Sequence, residues 1–388
     1  MAGSKYWVGM DLGWWETHVC ILDDDGQTIA ECASEASSTA LLEALSVVPA
    51  EDIALIAVES GQGVHVVRKL RSAGMPIEIF EARKASKFLA LRRNKTDASD
   101  ARGLAELARL GQNTVSRVHV KSVECQQMRT QVLMRHKLVK LRVMVENSLR
   151  ARFGMYGGRL TKSRTPEKVR QSAIDLIAQL KVEEGINLAP DVMPLLDIAE
   201  SLGSYLKKLD RAFVVRASKD PVCRRLMSVP GVGALTALSF FSAVEDPLRF
   251  ARSTDVAAYL GLVPRRYQSG GTSRTRGITK TGNKLTRMHL VNAAMVFNLH
   301  APDCELKAWS TALHERIGAK RARVALARKL SIILLTIWRT EVPFELHPTR
   351  LREVGNDNAA DLELDSKNLL SKKHLEASRT LERSNVLG

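Results

Sequence analysis

KYWVGMDLGWWETHVCILDDDGQTIAECA, residues 5–33, carries three apolar runs separated by turn residues. Residues 5–12 read as a strand whose end is Gly9-Met10-Asp11-Leu12-Gly13. Residues 17–23 read as a second strand and 27–33 as a third. Asp25-Gly26 between them marks a hairpin, because both positions tolerate positive φ. Next, residues 38–47 have helical spacing. IALIAVE, residues 53–59, is a continuous apolar run suited to a strand buried on both faces. Residues 63–73 read as a helix, 76–80 as a short strand, and further helices start at Ala82 and Asp97. The order is β-β-β-α-β-α-β-α. Antiparallel strands followed by parallel crossovers predict an α/β fold of the RNase H type, which by itself says nothing about chemistry.

Acidic residues fall at informative places in that order. Asp11 closes the first strand, and Glu59 closes the strand expected to lie beside it. Both are expected in the crevice at the carboxyl ends of the strands. KTDASDA, residues 95–101, opens a helix with Thr96 as N-cap, and the three-residue spacing puts Asp97 and Asp100 on one face. Singly, each acid is an ordinary turn or cap residue. Together, four carboxylates would repel one another without a cation. A site of oxygen donors alone selects Mg2+ or Mn2+. Two such ions can stabilise the attacking and leaving oxygens of a phosphodiester displacement. Gly9-x-Asp11-x-Gly13 also has the texture of the phosphate loop of sugar kinases and actin-like ATPases. That reading needs a second such hairpin and an adenosine-binding glycine segment, and the later half offers neither on a clear strand.

The rest of the 388-residue chain, long enough for two or three domains, points to a polyanion. Lys and Arg total 58 against 42 Asp and Glu, a formal net charge of +16, which favours a nucleic-acid partner through counterion release. Hydrophobic residues make up 45%, enough for genuine cores rather than global disorder. Cys20, Cys32, Cys125, Cys223 and Cys304 are scattered, which argues against a zinc site or disulfide framework and suits a reducing cytoplasm. No signal peptide is visible, and apolar runs such as 324–338 are too short or too interrupted to span a bilayer. The expectation is a bacterial, cytoplasmic, nucleoid-associated protein with no membrane partner.

Residues 123–152 form a basic helical stretch with Met128, Val132, Leu138, Leu141 and Val145 at three-to-four spacing, ended by glycines over 154–158. Residues 166–180 and 192–217 are also helical. These helices suit a coiled-coil arm or dimer interface. MSVPGVGALTA, residues 227–237, has the texture of a helix-hairpin-helix, in which Gly231 and Gly233 let backbone N–H groups approach a phosphate. GLVPRRYQSGGTSR, residues 261–274, reads as a flexible phosphate-contacting loop, continued by ITKTGNK at 278–284. The candidate nucleic-acid contacts are Arg93, Lys95, Gly231, Gly233, Arg265, Arg266, Arg274, Arg276, Lys280, Lys284 and Arg287. A hydroxyl in this loop could attack phosphorus and leave a phosphoserine or phosphothreonine link. Chemistry alone leaves Ser269, Thr272 and Ser273 open. An Ala-, Leu- and Arg-rich helical segment runs to about residue 340. Residues 356–388 read as a loosely ordered polar tail with one helix around 362–381.

Six motifs in this order resemble the IS110/IS1111 family of insertion-sequence transposases. They are VGMDLG (8–13), AVESG (57–61), RNKTDASDAR (93–102), VPGVG (229–233), AYLGLVPRRYQSGG (258–271) and ITKTGN (278–283). The resemblance spans nearly all of residues 6–344. It implies a RuvC-like DEDD domain at 1–120, a helical coiled-coil region at 121–220 and a mainly α C-terminal transposase domain with a catalytic serine at 221–345. A polar tail follows at 346–388, longer than the family pattern and assigned no function. It also implies Mg2+ (or Mn2+) on Asp11, Glu59, Asp97 and Asp100, and a serine nucleophile in the Y-x-S-G motif at Ser269. The working site would be composite, completed in a homo-oligomer, a dimer or tetramer. A structured guide RNA encoded by the element would pair with donor and target DNA. The expected function is therefore RNA-guided DNA recombination through a phosphoserine intermediate. Two alternatives stand beside it: a RuvC-like metal-dependent endonuclease or Holliday-junction resolvase using water, and a non-catalytic nucleic-acid-binding protein on a decayed nuclease fold.

Overall fold

Alternate residues of the strand Tyr6–Leu12 (β1) enter two different cores. Val8 and Met10 lie in one, while Trp7 packs into another and Gly9 abuts a helix. That period of two on a strand covered on both faces is the signature of a sheet centre. The structure is a computed structural model describing residues 5–61, 63–89, 96–111, 115–163, 165–269 and 272–346. The side chains at 266–276 fall outside that description. The chain divides into two compact units, Met1–Ser122 and Val123–Gly388.

In the first unit β1 is followed by β2 (Glu16–Leu22), β3 (Thr28–Glu35), α1 (Ser38–Leu45), β4 (Ile53–Glu59), α2 (Val64–Ser72) and β5 (Ile77–Phe80). α3 (Ala82–Leu89), α4 (Asp97–Leu110) and β6 (Arg117–Val118) complete it. The sheet order is β3-β2-β1-β4-β5-β6. β1 and β2 pair antiparallel, as do β2 and β3, whereas β1 with β4 and β4 with β5 are parallel. This mixed sheet is the order expected from the sequence and is consistent with a RuvC-like α/β domain. β6, only two residues long, is an antiparallel edge too short to leave a periodic signal. Leu41 and Leu45 of α1 and Val66, Val67 and Leu70 of α2 cover one sheet face together with Val8, Met10, Ile56 and Val58. α3 and α4 cover the other, where Leu104, Leu107 and Ala108 meet Leu55, Ala57 and Phe80.

The second unit is helical apart from one hairpin. It contains α5 (Val123–Met155), α6 (Pro166–Glu183), α7 (Ala189–Lys219), α8 (Pro221–Leu226), α9 (Ala234–Val244) and α10 (Asp255–Tyr259). β7 (Pro264–Ser269), β8 (Thr272–Ile278), α11 (Lys284–His300), α12 (Glu305–Ile317) and α13 (Ala319–Thr340) follow. The long helices α5 and α7 pack on each other within the chain, and Arg135 of α5 donates from Nε and Nη2 to the two carboxylate oxygens of Asp210 of α7 at 2.5 and 3.1 Å. One core joins Met128, Val132, Phe213 and Ala217 of this pair to α9, α11 and α13. A second holds Val145, Leu149 and Phe153 against α6 and the start of α7. The expected loop at 261–274 is instead a two-stranded antiparallel sheet, with Arg265 paired to Arg276, Tyr267 to Arg274 and Ser269 to Thr272. Its strands are polar and basic, so no apolar alternation announced them. The tail helix expected around 362–381 lies outside the described residues.

Candidate functional site

Asp11 and Glu59 are brought together by strand register. β1 and β4 run parallel with Gly9 opposite Ala57 and Met10 opposite Val58, so the next residues, Asp11 and Glu59, are level. Gly9 and Ala57 face α4, and alternation puts Asp11 and Glu59, two residues on, on that same face.

α4 reaches this face because Gly9 has no side chain. A Cβ there would lie 2.0 Å from the Ala101 carbonyl oxygen and 2.2 Å from the Ala105 nitrogen. The direction of α4 follows from its far end. Arg109 donates to the Asp24 carbonyl at 3.0 Å, and the Asp24 carboxylate accepts from Lys5 N and Trp7 Nε1, both at 3.0 Å. The carboxyl end of α4 is thus beside the start of β1, and α4 runs antiparallel to it. Its first turn, which carries Asp97 and Asp100, lies toward the Asp11 end. Thr96 caps that turn: its Oγ accepts from Ser99 N at 3.1 Å, and Ser99 Oγ accepts from Thr96 N at 3.0 Å. Acids in a first turn are favoured by the positive end of the helix dipole.

Asp11 and Glu59 therefore share one face and one end of the sheet, and the first turn of α4, with Asp97 and Asp100, lies toward that end. Their all-oxygen donor chemistry fits a hard divalent ion. The cage is not closed: among the described residues no three acids, histidines or cysteines stand close enough to hold an ion together.

Beside this face, the β1–β2 turn carries Trp14 and Trp15, exposed at 77% and 86%. The sequence reading did not single them out. The signal was there: two adjacent tryptophans in a turn cannot both be core.

The second unit sorts the basic candidates by burial. Arg287 is 9% exposed, and its Nη1 donates to the carbonyls of Leu260 at 2.8 Å and Thr281 at 2.7 Å. It ties together the two chain segments that flank the β7–β8 hairpin. Gly231 has φ +83°, and a Cβ there would lie 2.6 Å from the Ala293 carbonyl oxygen and 2.7 Å from Phe297 N, so its bareness admits α11. Gly233, the N-cap of α9, borders open space. Lys280 and Lys284 are exposed at the base of the hairpin. Arg265 and Arg276 are paired residues of β7 and β8. Arg266 and Arg274 lie on the same hairpin, while Arg93 and Lys95 fall outside the described residues. Ser269 ends β7, and Thr272 and Ser273 begin β8.

An acid-lined α/β unit followed by a helical unit with a basic hairpin defines the class. Comparison with known proteins is specific. A transposase family of the DEDD type matches residues 8–154, and the "Transposase IS116/IS110/IS902 family" matches residues 223–308. The transposase for insertion sequence element IS1111A of Coxiella burnetii is 30% identical over 338 residues, 84% of this chain and 88% of that one. The transposase for insertion sequence element IS1328 of Yersinia enterocolitica is 27% identical over 84% of this chain and 94% of its own. A probable family 20 transposase of Pseudomonas aeruginosa is 27% identical over 74% and 84%. The chain belongs to the IS110/IS1111 family of transposases. No helix among the described residues is long and apolar enough to cross a membrane.

Proposed function

We propose that the protein cuts and rejoins DNA at the ends of an insertion sequence, with Ser269 as nucleophile and Asp11, Glu59, Asp97 and Asp100 as ligands of divalent metal. The observation that carries the acid half is the common face of Asp11 and Glu59 beneath the amino end of α4. Mg2+ or Mn2+ held there would neutralise charge on the scissile phosphate. Asp11 and Glu59, on central strands, supply rigid ligands. Asp97 and Asp100 approach from a capped helix turn. The serine half is supported by the match of residues 223–308 to the family and by the arginine-rich strands around Ser269.

In the proposed step, Ser269 Oγ forms a bond to phosphorus while the bond to the 3′ oxygen breaks. The serine proton leaves to solvent or a base, and the freed 3′ oxygen takes up a proton. A 5′-phosphoserine link results. Rejoining reverses this with a 3′-hydroxyl of the exchanged strand and regenerates the serine. One phosphodiester is exchanged for another, so no external energy source is needed. The two halves lie in different units, and the reading includes a composite site in a homo-oligomer. A structured RNA is the second polyanion for the +16 charge, with base pairing rather than side chains choosing sequence.

Excision of a marked element tests the reading. Asp11→Asn, Glu59→Gln and Ser269→Ala should each abolish excision while leaving DNA binding intact. Metal-dependent cutting by Ser269→Ala at the wild-type rate would favour a resolvase-type reaction in which water attacks. Excision by all three variants would leave a non-catalytic nucleic-acid binder.

A further inference from the structure

The net charge of +16 is unevenly placed along the chain. Residues 1–122 hold 14 Lys and Arg against 16 Asp and Glu, so the whole surplus lies in residues 123–388. Within that unit α13 carries Lys320, Arg321, Arg323, Arg328, Lys329 and Arg339 and no acid. Arg321, Ala325, Arg328 and Lys329 recur at helical spacing and share one face. Arg321 is exposed, whereas Arg328 and Lys329 are half-buried. Enclosed cations elsewhere in the unit have acceptors in the protein. Arg135 holds the Asp210 carboxylate, Arg287 donates to the Leu260 and Thr281 carbonyls, and Arg339, further along α13, donates to those of Pro247 and Phe250. Arg321, Arg328 and Lys329 have no such acceptor among the described residues. Burial pushes the Lys329 amine below its ordinary pKa. Its charge is thus held partly out of water with no carboxylate opposite, an arrangement that costs free energy until an anion arrives. Ala325, between the cations, is small enough to let an extended backbone come close.

We propose that the Arg321–Arg328–Lys329 face of α13 grips the phosphate backbone of duplex DNA. The occupant is DNA because the chain belongs to a transposase family and this face lies in the unit that holds all of its surplus charge. The contact is with the backbone of a duplex rather than with unpaired bases. Trp338, the one aromatic residue of α13, is buried, so the face offers no ring for a base to stack on. Arginine and lysine on a helix suit phosphates, which fix the position of a protein on DNA without reading sequence. The proposal rests on DNA being the substrate, and it depends neither on Ser269 nor on metal at the acids.

The test titrates the full chain with two duplexes of unrelated sequence over a range of salt, in EDTA so that no metal-held contact contributes. Arg328→Gln and Lys329→Met should each lower the slope of log affinity against log salt by about 1, equally for both duplexes. The triple variant Arg321→Gln/Arg328→Gln/Lys329→Met should lower it by about 3, and Lys329→Arg should keep the wild-type slope. Because the Lys329 amine has no acceptor in the fold, Lys329→Met should melt at or above the wild-type temperature. An unchanged slope in the triple variant overturns the proposal. So does a loss seen with a structured RNA but not with the duplexes, which would assign the face to RNA. A lower melting temperature for Lys329→Met would show a structural role and overturn it as well. Wild-type protein that binds neither duplex would remove the DNA reading together with this proposal, whereas failure of the Ser269 chemistry would leave all of these slopes untouched.

Discussion

His289 on α11 is 6% exposed, and its Nδ1 has no hydrogen-bond partner among the described residues. Burial first, then the charges of Arg135 and His136, push its pKa down to about 4. In the unfolded chain an ordinary histidine titrates near 6.5. Between about pH 6.5 and 4 the unfolded state therefore holds a proton that the folded state lacks, so stability is full above that window and declines as pH falls through it. Thermal melts across the window should show this decline, and His289→Gln should reduce its slope. Equal slopes would show that His289 is not the titrating group. This residue and Arg287 also mark what sequence hides. Arg287 closes a basic, Gly-rich stretch that reads as nucleic-acid contact, and His289 lies two residues beyond it. Only packing shows that Arg287 serves two carbonyls and that His289 is enclosed. Asp11 and Glu59 were legible because a strand's end and its period depend on local sequence alone.

At the scale of elements, α4 is positioned by two features of different weight. The Thr96–Ser99 capping box starts it, and Gly9 lets it lie on β1. Thr96→Ala should cost about 1 kcal/mol. Gly9→Ala forces a methyl into backbone atoms of α4, so it should cost about 1–3 kcal/mol or more. It should also lower excision by shifting Asp97 and Asp100 away from Asp11. Denaturant unfolding and excision assays on both variants check this. A Gly9→Ala protein as stable and active as wild type would refute the close approach. The N-cap and the strand order of this unit were readable because capping chemistry and apolar periodicity are local signals. The β7–β8 hairpin was not. Its strands alternate Arg, Gln, Ser and Thr rather than apolar and polar residues, and its base is held by contacts at a distance, such as Arg287 with Leu260.

Across the whole molecule, charge and family agree on a polyanionic partner. DNA affinity should fall linearly on a log–log plot of affinity against salt, with a slope set by the number of phosphates contacted. Lys280→Ala and Lys284→Ala should each reduce that slope by about 1, and unchanged slopes would remove both from the interface. Membership of the family was legible because six separated motifs kept their order along the chain.

In the proposed reaction Ser269 takes the DNA covalently, and a direct trap tests it. Element-end DNA is incubated with the full protein and Mg2+, the mixture is denatured and digested, and the modified peptide is located by mass spectrometry. The expected result is a 5′-phosphonucleotide on Ser269, absent from Ser269→Ala and from Asp11→Asn. Cleaved DNA with no nucleotide on the protein, or a nucleotide on Thr272 or Ser273 instead, would contradict it.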